Sequence, residues 1–137
     1  MALWLFKEEP DHYCFADLER DGSTLWDGVT NNLARQNLRK LRKGDKILYY
    51  HTGKEKAIIG EMIAVSDATS DPNDADVRAL VVEVRPVQRL QHSVSLHQIK
   101  EDPALAGWDL VRLPRLSVVP VTNEQWRRVQ QLSKERG

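Results

Sequence analysis

At 137 residues, with 41% hydrophobic residues and a formal net charge of zero, the chain is sized for one domain with an ordinary core. Its apolar stretches run to only a few residues, against the ~18 that a membrane span needs, and MALWLFKEEP turns charged too early for a signal peptide. A single cysteine, Cys14, excludes an internal disulfide framework and a cysteine-only zinc site, so the expectation is a soluble, cytoplasmic monomer without membrane contact.

Residues 3–7 alternate Leu3 and Leu5 against Trp4 and Phe6 and then meet Pro10, which predicts an opening strand. Residues 14–20 fit one or two helical turns, with Gly22 suited to the left-handed residue that follows a helix. Over residues 32–43, Ala34, Leu38 and Leu41 recur at helical spacing, and Arg35, Arg39 and Arg42 repeat that spacing one position later. The spacing predicts an amphipathic helix, apolar on one stripe and basic on the next, stopped by Gly44 and Asp45. Residues 46–50, 57–65 and 79–87 are rich in Ile, Val and Tyr and bounded by turn residues, so three strands follow, with residues 66–76 a polar loop. Ser95 with Gln98 and Thr122 with Gln125 each fit a capping box and mark helix starts. Residues 110–113 and 116–121 read as further strands, and the last helix buries Trp126, Val129 and Leu132. No internal repeat or low-complexity tract interrupts the pattern. The sum is an α+β fold of five or six short strands, curved or barrel-like, flanked by short helices.

Charge is unevenly spread along the chain. Residues 35–56 carry eight Lys or Arg against Asp45 and Glu55, whereas residues 67–76 carry four Asp and no base. Lobes of opposite sign can orient a protein on a phosphate backbone; solvated surface is the plainer explanation.

The strongest local motif is WDGVTNN at residues 26–32, where Gly28 allows a tight backbone and Trp26, Asp27, Asn31 and Asn32 converge. It reads either as the wall of a pocket or as a turn in which Asn32 caps the next helix and Trp26 is core. Trp4 and Tyr50 lie on strands, where packing is the commoner role, but Lys7, Glu8, Glu9 and His51 sit at the adjacent strand ends, where binding groups are often held. Aromatic faces together with amides suit a flat ligand such as a nucleobase. Catalytic and metal templates fail. Leu48 and Glu55 break a phosphate-loop match at Gly53 and Lys54, Ala75 and Val82 remove calcium geometry around Asp71, Asn73 and Asp76, and His92 and His97 lack zinc-helix spacing. No metal or cofactor is indicated; Cys14 with His12 or His51 stays open as a nucleophile and base.

With WLFKEEP (4–10), WDGVTNN (26–32), GDKILYYHTG (44–53), IIGEMIAV (58–65) and LVRLPRLSVVPVT (110–122) in this order, nearly the whole chain resembles an EVE domain of the PUA-like superfamily. The resemblance implies a bent mixed β-barrel with flanking helices, related to the YTH domain that reads N6-methyladenine in RNA. It implies a reader rather than a catalyst, with modified bases in DNA or RNA as ligands. Carried onto this sequence, Trp4 and Lys7 mark the pocket margin, and Trp26, Asp27, Val29, Asn31 and Asn32 its wall. Tyr50, His51, Leu116 and Ser117 complete it, with Trp26 stacking and Asn31 and Ser117 bonding a base edge. Arg35, Arg39 and Arg112 are the implied phosphate contacts. Thr30 stands where the family more often has Arg, and Cys14 where Ser is common, which removes hydrogen-bonding capacity at both positions. The alternative is a hydrolase of the related ASCH branch, acting on nucleosides or RNA, with Lys7, Glu8 and Glu9 as acid and base.

Overall fold

The computed structural model describes residues 1–135. Seven strands and five helices alternate along it: β1 (Leu3–Glu8), α1 (Phe15–Asp21), β2 (Thr24–Trp26), α2 (Asn32–Arg39), β3 (Lys46–His51), β4 (Ala57–Ala64), β5 (Thr69–Ser70), β6 (Leu80–Ser95), α3 (Leu96–Glu101), α4 (Asp109–Arg112), β7 (Val118–Val121) and α5 (Asn123–Lys134). The strands order as β2-β6-β4-β3-β1-β7, with β5 paired to β6 off this path. Only β1 and β3 run parallel; the other pairs are antiparallel. Register shifts at Tyr49/Tyr50, Ile58/Gly60 and Glu61/Met62 bend the ribbon, and the mixed sheet curls into a half-barrel. The expected α+β architecture with short flanking helices is therefore the one observed.

Gly60 lies between two of these register shifts. A Cβ there would come within 2.6 Å of the Phe15 ring and 2.9 Å of the Gln88 carbonyl, so only the absence of a side chain lets α1 pack against β4. The core runs along both faces of the sheet, with Leu5, Phe6, Ile47, Leu48, Tyr49 and Ile58 fully buried. Because both faces are covered, β1 and β3 lose the clean in/out alternation expected of a half-exposed strand.

The capping signals at Ser95 and Thr122 hold, each hydroxyl accepting from the N–H three residues on, at 3.1 and 3.0 Å. Gly22 takes the left-handed cap at φ 77°, as expected. Other expectations change. Where a strand was expected over residues 110–113 the chain forms the helical turn α4, Asp109–Arg112, in which Arg112 reaches back to Asp109 at 2.6 Å. α2 ends at Arg39 rather than near 43. There Asp45 Oδ2 accepts from the Arg42 N–H at 3.0 Å and turns the chain early. β2 and β5 are absent from the sequence reading and exist through pairing with β6, which is long because its two halves serve different partners. Val129 and Leu132 are buried as expected on α5, while Trp126 is only half-buried.

β7 is an edge strand whose outward carbonyls are taken by side chains. Asn37 Nδ2 donates to the Val118 carbonyl at 2.8 Å and Trp108 Nε1 to that of Pro120 at 3.0 Å. Pro120 itself has no N–H to offer.

Candidate functional site

β1 delivers Lys7 directly opposite Tyr50 of β3. The Lys7 amine lies 5.7 Å from the centre of the Tyr50 ring and donates to the Pro114 carbonyl at 2.9 Å. Burial pushes the amine down to about 8 and the Tyr50 phenol up to about 12. The Tyr50 hydroxyl bonds no group among the described residues, and none of these has a sealed, unpartnered side-chain oxygen, so it opens on a hollow of about 240 Å³. Lys56, Lys100, Thr52 and Pro114 share that hollow. Glu8, the next residue along β1, faces the other way, as the period of a strand requires.

Across Pro114 lies a second hollow, of about 310 Å³, which reaches the roughly 300 Å³ at which small-molecule sites begin. Its apolar walls are Leu33, Leu113, Pro114 and Leu116, with Arg112 and Arg115 on the rim. Asn31 closes it, and Asn31 rather than Asn32 is the N-cap of α2, its Oδ1 accepting from the Ala34 N–H at 3.0 Å. Since a backbone N–H can only donate, the capping atom is the oxygen, and the amide NH₂ bonds no group among the described residues.

A third hollow, of about 160 Å³, opens beside Trp26 and is bordered by Glu8, His12, Tyr13 and Asp27. Trp26 is 6% exposed, and its ring packs 5.3 Å from both Phe6 and Tyr49. It borders that hollow at an edge and at the same time belongs to the aromatic core. The two acidic neighbours also make this the wrong rim for phosphate.

The site residues expected from sequence therefore divide among three openings. Asn31, Leu116 and Arg112 meet at one, Lys7 and Tyr50 at the next, and Trp26 and Asp27 at the third. Ser117 lies beside Lys7, its carbonyl accepting the Lys7 N–H at 3.0 Å. Asn32 is exposed on the first turn of α2 and Arg39 on its last. Trp4 is corrected to a core residue, 5% exposed, its indole N–H donating to Asp45 at 3.0 Å. His51 is corrected too. Its Nε2 accepts the Phe15 N–H at 3.1 Å and its Nδ1 lies 2.7 Å from Glu55, so neither nitrogen is free to meet a ligand or serve Cys14 as a base. Arg35 is 6% exposed and clamps the loop after β2, donating to the buried Val29 carbonyl at 2.8 Å and to Asp76 at 3.2 Å. That commits its guanidinium inside the protein, away from phosphate.

Sequence reasoning missed Lys56, Lys100 and Arg115. Arg115 stood inside the closing motif, whereas Lys100 lies on α3 and nothing in its neighbourhood signals that the chain returns to Lys7. Among the described residues no group of three or more His, Cys, Asp or Glu is placed to hold a metal.

The comparisons with known proteins agree with this architecture. An NMR structure of Rpa0253 from Rhodopseudomonas palustris is 33% identical, with a TM-score of 0.92 over 99% of this chain and 97% of that one. Human THYN1, solved in complex with 5-methylcytosine containing DNA, is 26% identical, with a TM-score of 0.89 and full coverage of both chains. Thymocyte nuclear protein 1 of Gallus gallus is 26% identical over 97% of this chain and 69% of its own length. An ASCH protein from Zymomonas mobilis, 15% identical with a TM-score of 0.61, shares the fold. The EVE domain pattern matches residues 2–132, and the chain belongs to the EVE domain family.

Proposed function

We propose that this chain is a nucleic-acid-binding module that takes one base of a strand into the hollow between Asn31 and Leu116. The observation that carries this reading is the Asn31 cap, which leaves an amide NH₂ without a partner among the described residues at the border of an apolar slot that Arg112 and Arg115 also line. The amide bonds a base edge, the leucines and Pro114 cover the ring, and the rim arginines, with Arg39 further along α2, hold the flanking phosphates. The human relative of the same fold solved with methylcytosine DNA supports the ligand class. A methyl group covered by Leu113 or Leu116 would add about 0.8 kcal/mol, so preference for a modified base is expected to be a few-fold. A binding role is preferred to a hydrolytic one because Lys7 and Glu8 open on different hollows, while Glu9 accepts from Thr52 at 3.0 Å.

The test is fluorescence anisotropy with DNA and RNA oligonucleotides differing only by one methylcytosine, across a salt series. Asn31→Ser keeps a capping oxygen but removes the amide NH₂ and leaves only a shorter hydroxyl, and should weaken binding about 3- to 10-fold, one hydrogen bond's worth. Arg112→Ala with Arg115→Ala should lower the slope of log affinity against log salt by roughly 1 to 2. Equal affinity in wild type and both variants at every salt concentration would reject the reading.

A further inference from the structure

We infer that the hollow walled by Lys7, Lys56 and Lys100 is a phosphomonoester site, for the terminal phosphate of a nucleic-acid strand or the phosphate of a free nucleotide. The strand source rests on the function proposed above. Three lysines border this opening, and none has a carboxylate within ion-pair distance among the described residues. A bridging phosphodiester carries a single negative charge, whereas a monoester carries about 1.5 to 2 near neutral pH and offers three acceptor oxygens. Three ammonium groups without carboxylate partners suit the higher charge and three acceptor oxygens of the monoester better than the single charge of the diester. The unbonded Tyr50 hydroxyl supplies a further donor at the wall.

Lys56 adds an independent observation. It is the one described non-glycine residue with positive φ, at 45°, pinned there by the Leu96 N–H donating to its carbonyl at 2.8 Å. Glycine or asparagine adopts this backbone more readily, so folding alone does not favour a lysine at the position. A cation retained on a disfavoured backbone at the mouth of a hollow points to a function there.

The experiment uses the whole chain in phosphate-free buffer. Single-stranded oligonucleotides ending in 5′-phosphate, 3′-phosphate or hydroxyl are compared by anisotropy, and a nucleoside 5′-monophosphate by titration calorimetry. Wild type should prefer one phosphorylated end by 10-fold or more. Lys56→Gly and Lys100→Ala should each cut that preference to about 2-fold or less, with hydroxyl-ended binding unchanged. Lys56→Gly should also melt at the same temperature or higher, separating lost binding from lost folding. Equal binding of all three ends, with no calorimetric signal from the monophosphate, overturns the site while leaving strand binding intact. If no oligonucleotide binds but the monophosphate does, in a Lys56-dependent way, the site stands with free nucleotide as its source and the strand-binding function falls. If nothing binds, both fall.

Discussion

Burial beside Tyr50 and Pro114 brings the Lys7 amine down to about 8, so its charge disappears in mildly alkaline solution. Tyr50, pushed up to about 12, stays neutral there, and Lys56 and Lys100 are the other charged groups on the hollow. Affinity for a phosphorylated end should therefore fall between pH 7 and 9 in wild type, and this step should vanish in Lys7→Met when binding is followed across that range. Stability runs the other way. The unfolded chain holds the Lys7 proton up to the ordinary 10.5, so between about 8 and 10.5 the unfolded state binds more protons. Wild type gains stability relative to Lys7→Met as pH rises through that window and loses the gain as pH falls through 8, which urea titrations at pH 7.5 and 10 would register. Trp26 behaves differently. Packed against Phe6 and Tyr49, it should cost about 3 to 5 kcal/mol on truncation to Ala, read as a loss of folding in a denaturant melt.

At the level of elements, helix starts were the most legible feature because a capping box is a local, reciprocal arrangement that needs nothing from the rest of the fold. Thr122→Ala should cost about 1 kcal/mol in thermal or chemical unfolding while leaving oligonucleotide affinity unchanged, since α5 borders none of the three hollows. Elements created by tertiary pairing were hidden. The three residues of β2 have no pattern of their own and become a strand because Trp26 lies opposite Val82. α4 was misread for a related reason: Leu110, Val111 and Leu113 carry too few positions to separate a strand from one helical turn, and the Asp109–Arg112 pair decides it.

Across the whole molecule, the basic run and the acidic loop read in the sequence as opposed surface lobes, yet the fold joins them. Arg35 crosses to Asp76, whose carboxyl is held near 2 by the Arg78 N–H, the Arg78 side chain and Arg35. Arg35→Ala would strand the buried Val29 carbonyl and free both loops, at about 2 to 3 kcal/mol by denaturant unfolding. Asn31 and Leu116, named from two separate motifs of the sequence, border one hollow in the fold. Lys7, near the end of β1, was named from the sequence, but its companions were not: Lys56 precedes β4 and Lys100 lies on α3, and these distant segments meet at one opening only in the folded chain.

The covered margin of β7 bears on how copies of this protein can crowd together. With Asn37 and Trp108 occupying two outward carbonyls and Pro120 offering no donor, an arriving β-segment finds no ladder to extend, so runaway fibre growth is barred from that side. Copies that meet across this margin do so through side chains, and separate again as readily as such contacts allow.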